Sequence, residues 1–219
     1  MGWIMPVIWP IEIMLVVPRL HLHFYCPTNH AKVFLIDDSL SMAPYQDYLV
    51  WVFHALAYIV KTKDPDGLDL KFTNSPDWHH NDDTTPLVKK VKAMTPHGEC
   101  SMKVALDDVL QKFCTAAKGP PSKPAYRARK SLSFLSPTQR KEKNGLSIYV
   151  LTNGVWQKGP GEICGVEEPI RLAVERLRKS GYLDYKLGIQ FIQFGEDAIG
   201  SRRLHLLDCH LREKFGIDM

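Results

Sequence analysis

The order of apolar and polar residues divides the chain, from about residue 31 onward, into short apolar runs that alternate with longer segments of helical spacing. The short runs are rich in β-branched and aromatic residues, which is typical of strands buried on both faces. Strands that alternate with helices predict an α/β fold: a Rossmann-like, doubly wound, mostly parallel sheet with helices on both faces. The predicted strands are Val33–Ile36, Leu68–Phe72, Ile148–Leu151 and Leu187–Phe194.

Five segments with apolar residues at helical spacing are predicted as helices. The first of them is apolar on nearly every face, which predicts a helix that is buried all round. Its Asp47 and His54, together with its short length, argue against a membrane span. The predicted helices are Tyr45–Val60, Thr85–Met94, Ser101–Thr115, Glu167–Ser180 and Ala198–Phe215.

Between the second strand and the second helix, the polar segment Ser75–Asp83 is predicted to be a loop. It contains His79 and His80 among three aspartates. Such a group suggests zinc, but neighbouring histidines on a loop are usually solvated, and we favour the solvated interpretation.

The first 30 residues are predicted to be an apolar extension ahead of a domain that covers residues 31–219. No basic residue precedes the apolar run Trp3–Val17 and no small-residue cleavage site follows it, while two prolines and Glu12 interrupt it. It is also shorter than the roughly 20 residues that span a bilayer. We therefore expect an uncleaved extension, with a secretory signal as the alternative. Residues 20–25 alternate apolar with more polar residues, which predicts an edge strand.

Composition is ordinary for a globular protein, with 45% hydrophobic and 24% charged residues, but the charge is unevenly placed. The segment 118–144 is rich in Pro and Ser and carries eight basic residues against one acidic residue, Glu142. We predict a basic, flexible surface insertion. Contact with nucleic acid or an acidic membrane is the alternative, which its few aromatic residues disfavour. We expect no specific nucleic-acid binding.

The cysteines are five in number and scattered, with no Cys-x-x-Cys pair. This pattern favours neither a zinc site nor a disulfide framework, and so predicts a reducing, cytoplasmic location. They are Cys26, Cys100, Cys114, Cys164 and Cys209.

The candidate chemistry lies directly after the first strand. Val33–Ile36 is followed by Asp37, and the hydroxyls of Ser39 and Ser41 follow at alternate positions. In a parallel α/β sheet, ligands bind beyond the carboxyl ends of the strands. One carboxylate and two hydroxyls offer only oxygen ligands, which suit a hard cation such as Mg²⁺. The simpler alternative is a turn that caps the next helix.

Asp-x-Ser-x-Ser after an apolar strand resembles the metal-ion-dependent adhesion site of von Willebrand factor A-type (vWA) domains. The resemblance extends from about residue 31 to the end of the chain, because a long apolar helix, an Asp-Pro-Asp-Gly turn (residues 64–67) and a strand ending Val-Leu-Thr-Asn-Gly (residues 150–154) follow in the family's order. The closest similarity is to small stand-alone A-type proteins of fungi, where this strand typically ends Leu-Thr-Asp-Gly.

Two positions depart from the pattern of that family. The resemblance implies a threonine where this chain has Cys100, with Ser101 able to supply a hydroxyl one residue later. It implies a carboxylate where this chain has Asn153, whose amide oxygen can hold a metal-bound water but adds no charge. The resemblance therefore implies a metal site of Asp37, Ser39, Ser41, Cys100 or Ser101, and Asn153. We expect this site to bind Mg²⁺ or Mn²⁺ weakly or to have lost the cation.

For function, the resemblance implies a non-catalytic protein-interaction module whose cation accepts an acidic side chain of a protein partner. A metal-independent vWA-like scaffold is one alternative. A phosphatase or dehalogenase that uses Asp37 is another, although Ser39 stands where such enzymes usually have a second carboxylate.

Overall fold

A computed structural model describes residues 30–63, 66–116, 145–158, 162, 164–179 and 187–215. Most of the predicted N-terminal extension (1–30), all of the insertion 118–144 and the first half of the Asp-Pro-Asp-Gly turn lie outside these ranges. The described residues contain five strands: β1 (His30–Ile36), β2 (Leu68–Phe72), β3 (Trp78–Asn81), β4 (Gly145–Thr152) and β5 (Leu187–Gln193).

The strands form one sheet in the order β3-β2-β1-β4-β5. All neighbouring strands are parallel except β2 and β3, which are antiparallel. In the described ranges, four α-helices connect the strands, a fifth follows β5, and a 3-10 helix (Leu40–Tyr45) precedes the first α-helix. The helices are α1 (Gln46–Lys63), α2 (Thr84–Ala93), α3 (Met102–Ala116), α4 (Glu167–Lys179) and α5 (Ala198–Phe215).

Each face of the sheet is covered by helices, because alternate residues of the central strands point to opposite sides. Phe34 and Ile36 of β1 belong to the core beneath α1 and α2, whereas Val33 and Leu35 belong to the core beneath α3, α4 and α5. Fully burying such a side chain contributes about 1.5–3 kcal/mol. The predicted α/β fold, with a mostly parallel sheet between two helical layers, is confirmed.

One prediction was wrong: part of the segment Ser75–Asp83 is a strand. Trp78–Asn81 pairs with β2, with Lys71 opposite Trp78 and Leu68 opposite Asn81. This strand lacks an apolar face, so hydrophobic alternation does not reveal it. Contacts from outside the segment hold it instead. The indole N–H of Trp78 donates to Asp108 (3.2 Å), and the ammonium of Lys112 lies 3.6 Å from a Trp78 ring centroid.

The prediction for the first helix was also wrong in part, because α1 is not buried all round. Leu49, Phe53 and Val60 are fully buried, but Trp51 and Tyr58 are 64% and 65% exposed. Apolar residues on every face of a helix do not indicate which face the sheet covers. No helix in the described part of the chain is both long enough and apolar enough to cross a membrane.

Candidate functional site

The candidate site lies at the carboxyl edge of the sheet, where the two central strands end side by side. Ile36 of β1 is paired with Leu151 of β4, which places Asp37 next to Thr152. The backbone N–H of Asp37 donates to the carbonyl of Leu151 (2.9 Å). The loops that follow these neighbouring strands, with Asp37 and Asn153, are therefore adjacent.

Asp37 is the centre of this site. Its side chain is fully buried, and both carboxylate oxygens accept hydrogen bonds, one from the backbone N–H of Ser39 (3.0 Å) and the other from the hydroxyl of Thr152 (2.7 Å). A buried carboxylate needs such donors to offset its desolvation. Because two oxygens offer about four acceptor positions, these two bonds leave acceptor capacity for a further ligand.

The hydroxyls of Ser39 and Ser41 contact each other, and that of Ser41 also contacts the loop that follows β4. Ser39 Oγ and Ser41 Oγ are 2.9 Å apart, and Ser41 Oγ donates to the side-chain oxygen of Asn153 (3.4 Å). The structure thus brings Ser39 and Ser41 together with Asn153, which lies more than a hundred residues further along the sequence. Ser39 and Asn153 are buried, at 1% and 4% exposed, and Ser41 is half-buried.

The amide of Asn153 has a defined orientation. Its oxygen accepts from the backbone N–H of Val155 (3.0 Å), and its Nδ2 donates to the carbonyl of Ser41 (3.1 Å). Since a backbone N–H requires an acceptor and a carbonyl requires a donor, the reverse orientation would lose both bonds. The amide therefore ties the loop after β4 to the loop after β1.

A second aspartate beside the site is already engaged. Asp38 is 2% exposed, and one of its carboxylate oxygens accepts from the hydroxyl of Thr73 (2.8 Å) and from the backbone N–H of Asn74 (2.9 Å). Its own N–H donates to Thr73 Oγ1 (3.4 Å). The side chain of Asp38 therefore joins the ends of β1 and β2. Of the two neighbouring aspartates, Asp37 is the one whose carboxylate belongs to the candidate site.

Cys100 belongs to this buried cluster. The residue is 4% exposed, and its Sγ lies 4.0 Å from Thr73 Oγ1. Burial raises the pKa of its thiol well above the ordinary value, and the neighbouring Asp37 carboxylate raises that pKa further. The thiol is therefore protonated at neutral pH. Ser101, in contrast, is exposed, and its carbonyl accepts from the N–H of Ala105 at the start of α3. Among the described residues, the hydrogen bonds of the cluster do not reach it.

Sequence reasoning missed three residues of the cluster: Asp38, Thr73 and Thr152. Each stands at the end of a strand that was predicted, so position alone gave a signal for each of them. Their roles depend on which strands are neighbours and on side-chain direction, which the sequence does not fix.

The donor set fits a hard cation only weakly. Asp37 supplies a carboxylate, Ser39 and Ser41 supply hydroxyls, and Asn153 supplies an amide oxygen. These are the oxygen ligands that Mg²⁺ and Mn²⁺ accept. No group of three or more His, Cys, Asp and Glu side chains in the described ranges is placed to hold a metal ion.

That finding covers the histidines of β3 as well. His80 Nδ1 lies 2.9 Å from Asp69 and His80 Nε2 lies 3.4 Å from Asp82, so both of its ring nitrogens contact carboxylates. Burial lowers the pKa of His79, and the nearby Lys90 lowers it further. The contacts with Asp69 and Asp82 therefore assign His80 a structural role at the edge of the sheet.

Gly200 fixes the position of the loop that carries Asn153. A Cβ on Gly200, in the first turn of α5, would lie 2.1 Å from the backbone oxygen of Asn153. The same turn is capped by Asp197, whose carboxylate accepts from the N–H groups of Ile199 and Gly200 (both 2.9 Å). The start of α5 therefore packs directly against the site loop.

The chain was also compared with known proteins. No family model matches it, and the search of curated proteins gives no match.

Proposed function

We propose that the protein is a non-catalytic protein-interaction module of vWA type, which binds an acidic side chain of a protein partner through a weak divalent-cation site. The observation that supports this proposal is the contact of Ser41 with both Ser39 and Asn153, beside the buried Asp37, at the carboxyl edge of the sheet. In α/β sheets this edge is where ligands bind.

The residues that would hold the cation are Asp37, Ser39, Ser41 and Asn153. A bound cation would supply a positive charge that accepts a carboxylate from the partner. The protein's own residues provide oxygen atoms, which suit a hard ion, whereas the neighbouring thiol of Cys100 is a poor ligand for such an ion. With one carboxylate in the set, we expect weak affinity for Mg²⁺ and somewhat better affinity for Mn²⁺.

Exposed apolar side chains around the same edge support a protein partner. Leu40 lies between the two serines, Val104 lies in the first turn of α3, and Ile199 lies in the first turn of α5. They are 64%, 71% and 57% exposed. The partner's carboxylate should therefore be flanked by apolar residues that contact Leu40, Val104 and Ile199.

A second candidate is a metal-independent scaffold of the same fold. The hydrogen bond from Asn153 Nδ2 to the carbonyl of Ser41 favours it, because this bond joins the two loops without a cation. Hydrolysis by Asp37 is less favoured, because the carboxylate is fully buried and already accepts two hydrogen bonds.

Calorimetric titration with Mn²⁺ and Mg²⁺ tests the proposal. We expect a weak Mn²⁺ signal that Asp37→Ala abolishes, and stronger binding of both ions by Cys100→Thr with Asn153→Asp. The matched control is Asp107→Ala, which removes a carboxylate of α3 that, among the described residues, bonds only to Gln111 of the same helix and should leave binding unchanged. No Mn²⁺ binding by either the unmodified protein or the double variant would favour the metal-independent scaffold. Binding that survives Asp37→Ala would show that the ligands are assigned wrongly.

A further inference from the structure

The exposed face of α5 carries a histidine and a cysteine one helical turn apart. His205 Nε2 and Cys209 Sγ are 3.7 Å from each other, and both residues are exposed. Their spacing of four residues places them on one side of the helix. Leu204 and Leu207, at 0% and 1% exposed, lie on the opposite side and enter the core. The core therefore holds the helix in place while the pair faces solvent.

Cys209 differs from the other cysteines that the structure describes. It is exposed, whereas the other three are buried or half-buried: Cys100, Cys114 and Cys164. The contact between the Cys209 thiol and the imidazole of His205 is weak, because an S–H group is a poor hydrogen-bond donor. Both side chains can therefore exchange this contact for a stronger ligand.

We propose that His205 and Cys209 form a two-residue chelate for Zn²⁺. Thiolate sulfur and imidazole nitrogen are the two protein ligands that zinc most often takes, and neither suits a hard ion such as Mg²⁺. On binding, Zn–S and Zn–N bonds form, and the thiol proton passes to solvent.

The separation of the two ligand atoms matches the geometry of zinc. Tetrahedral zinc lies about 2.3 Å from sulfur and about 2.0–2.1 Å from nitrogen, which places the two ligand atoms about 3.6 Å apart. The observed distance between His205 Nε2 and Cys209 Sγ is 3.7 Å. An ion can therefore bind both atoms with almost no movement of either side chain, so little of the binding free energy is lost in ordering them.

The remaining positions on the ion must be filled from elsewhere. Tetrahedral zinc takes four ligands, and the described ranges hold no group of three or more His, Cys, Asp and Glu side chains placed for a metal. Water or a second molecule of the chain, which would bring the same pair, can supply the other two. The nearby Arg202 is exposed, so solvent and salt screen its repulsion of a cation.

This chelate is separate from the candidate site at the edge of the sheet. Cys209 follows Gly200, which packs against the loop of Asn153, by nine residues, or about 13 Å along the helix at about 1.5 Å per residue. The candidate site offers oxygen atoms, whereas this pair offers sulfur and nitrogen. The inference therefore does not depend on the function proposed for that site.

Absorption spectroscopy with Co²⁺, under a non-coordinating reductant, tests the chelate in the full-length chain. Cobalt bonded to a thiolate has a charge-transfer band, and Zn²⁺, which binds such ligands more tightly, should remove it. We expect Cys209→Ser to abolish the band that zinc displaces. His205→Gln should weaken Co²⁺ binding about ten-fold or more, because the second ligand of a chelate acts at a high effective concentration. Cys114→Ser and His54→Gln are the matched controls and should leave the band and the affinity unchanged.

A band of equal intensity in the unmodified protein and in Cys209→Ser would overturn the proposal, because another thiol would then bind the metal. So would unchanged affinity in His205→Gln, which would leave only a single thiol as ligand, or the absence of any thiolate band with cobalt in large excess. Since both side chains are exposed, all variants should keep the circular dichroism and melting temperature of the unmodified protein. Light scattering with Zn²⁺ then identifies the other ligands: a dimeric mass indicates a second copy and a monomeric mass indicates water, and either supports the chelate.

Discussion

Asn153 performs two tasks with one amide. Its oxygen faces the hydroxyl of Ser41 and the N–H of Val155, while its nitrogen binds the carbonyl of Ser41. A carboxylate at this position would provide charge for a cation, but it would have no proton for that carbonyl. The residue that would weaken the proposed cation site is therefore the residue that joins the two loops without a cation.

Asn153→Asp should accordingly destabilise the metal-free protein. The substitution replaces a donor that lies 3.1 Å from the carbonyl oxygen of Ser41 with a negatively charged oxygen. Losing a buried hydrogen bond and leaving its partner unsatisfied costs about 1–3 kcal/mol. Urea unfolding in EDTA measures this loss, and added Mn²⁺ should recover part of it, because a ligand that binds only the folded state stabilises it. Unchanged stability in EDTA would contradict the role assigned to the amide.

At the level of elements, β3 shows how a polar strand is held at the edge of a sheet. Trp78 lies between Lys112 and Asp108, and the ammonium of Lys71, which is itself buried, is 3.0 Å from the Asp108 carboxylate. These contacts fix the strand to α3, while β3 protects the edge of β2 from pairing with other chains.

Trp78→Ala should loosen β3 without unfolding the sheet. We expect a loss of about 1–2 kcal/mol, below the 3–5 kcal/mol typical of a fully buried aromatic residue, because Trp78 is only half-buried. Hydrogen exchange should accelerate at residues 78–81. Trp78→Phe is the matched control, since it keeps a ring under Lys112 and removes only the bond to Asp108. If exchange is the same in all three proteins, the ring does not anchor the strand.

Sequence patterns predicted the strands and helices correctly where apolar periodicity is strong. They failed where tertiary contacts determine the secondary structure. Leu68–Phe72 and Ala198–Phe215 have the predicted bounds, because each has its own apolar pattern. β3 has no such pattern. At the site, Asp37, Ser39 and Ser41 could be singled out because they lie at alternate positions directly after one strand. Asp38 and Thr73 could not, because their bond requires knowing that β1 and β2 are neighbours.

For the whole molecule, buried thiols make stability depend on alkaline pH. Burial, together with the nearby Glu167 carboxylate, raises the pKa of Cys164 to about 12, and burial likewise raises the pKa values of Cys100 and Cys114. A thiol whose pKa is raised in the folded state keeps its proton while the unfolded chain loses one. Its stabilisation is therefore complete below the unfolded pKa and is lost as pH rises towards the folded pKa.

We therefore expect the free energy of unfolding to fall above about pH 9, by up to about 1.4 kcal/mol per pH unit for each such thiol. Urea unfolding at pH 8 and pH 10 measures the change. Cys164→Ser keeps a donor for the carbonyl of Arg203 but does not ionise, so its stability should fall less between the two pH values. An equal fall in both proteins would show that Cys164 does not contribute.

The central position of β1 has a consequence for synthesis of the chain on the ribosome. One edge of β1 pairs with β2, which follows within about forty residues, but the other pairs with β4, where His30 lies beside Gly145. Until residue 152 leaves the ribosomal exit tunnel, the nascent chain has an open, apolar strand edge. Long-range pairings of this kind form slowly and expose intermediates to aggregation. Nascent chains that stop before β4 should therefore depend on chaperones, whereas chains released after β5 should fold without them.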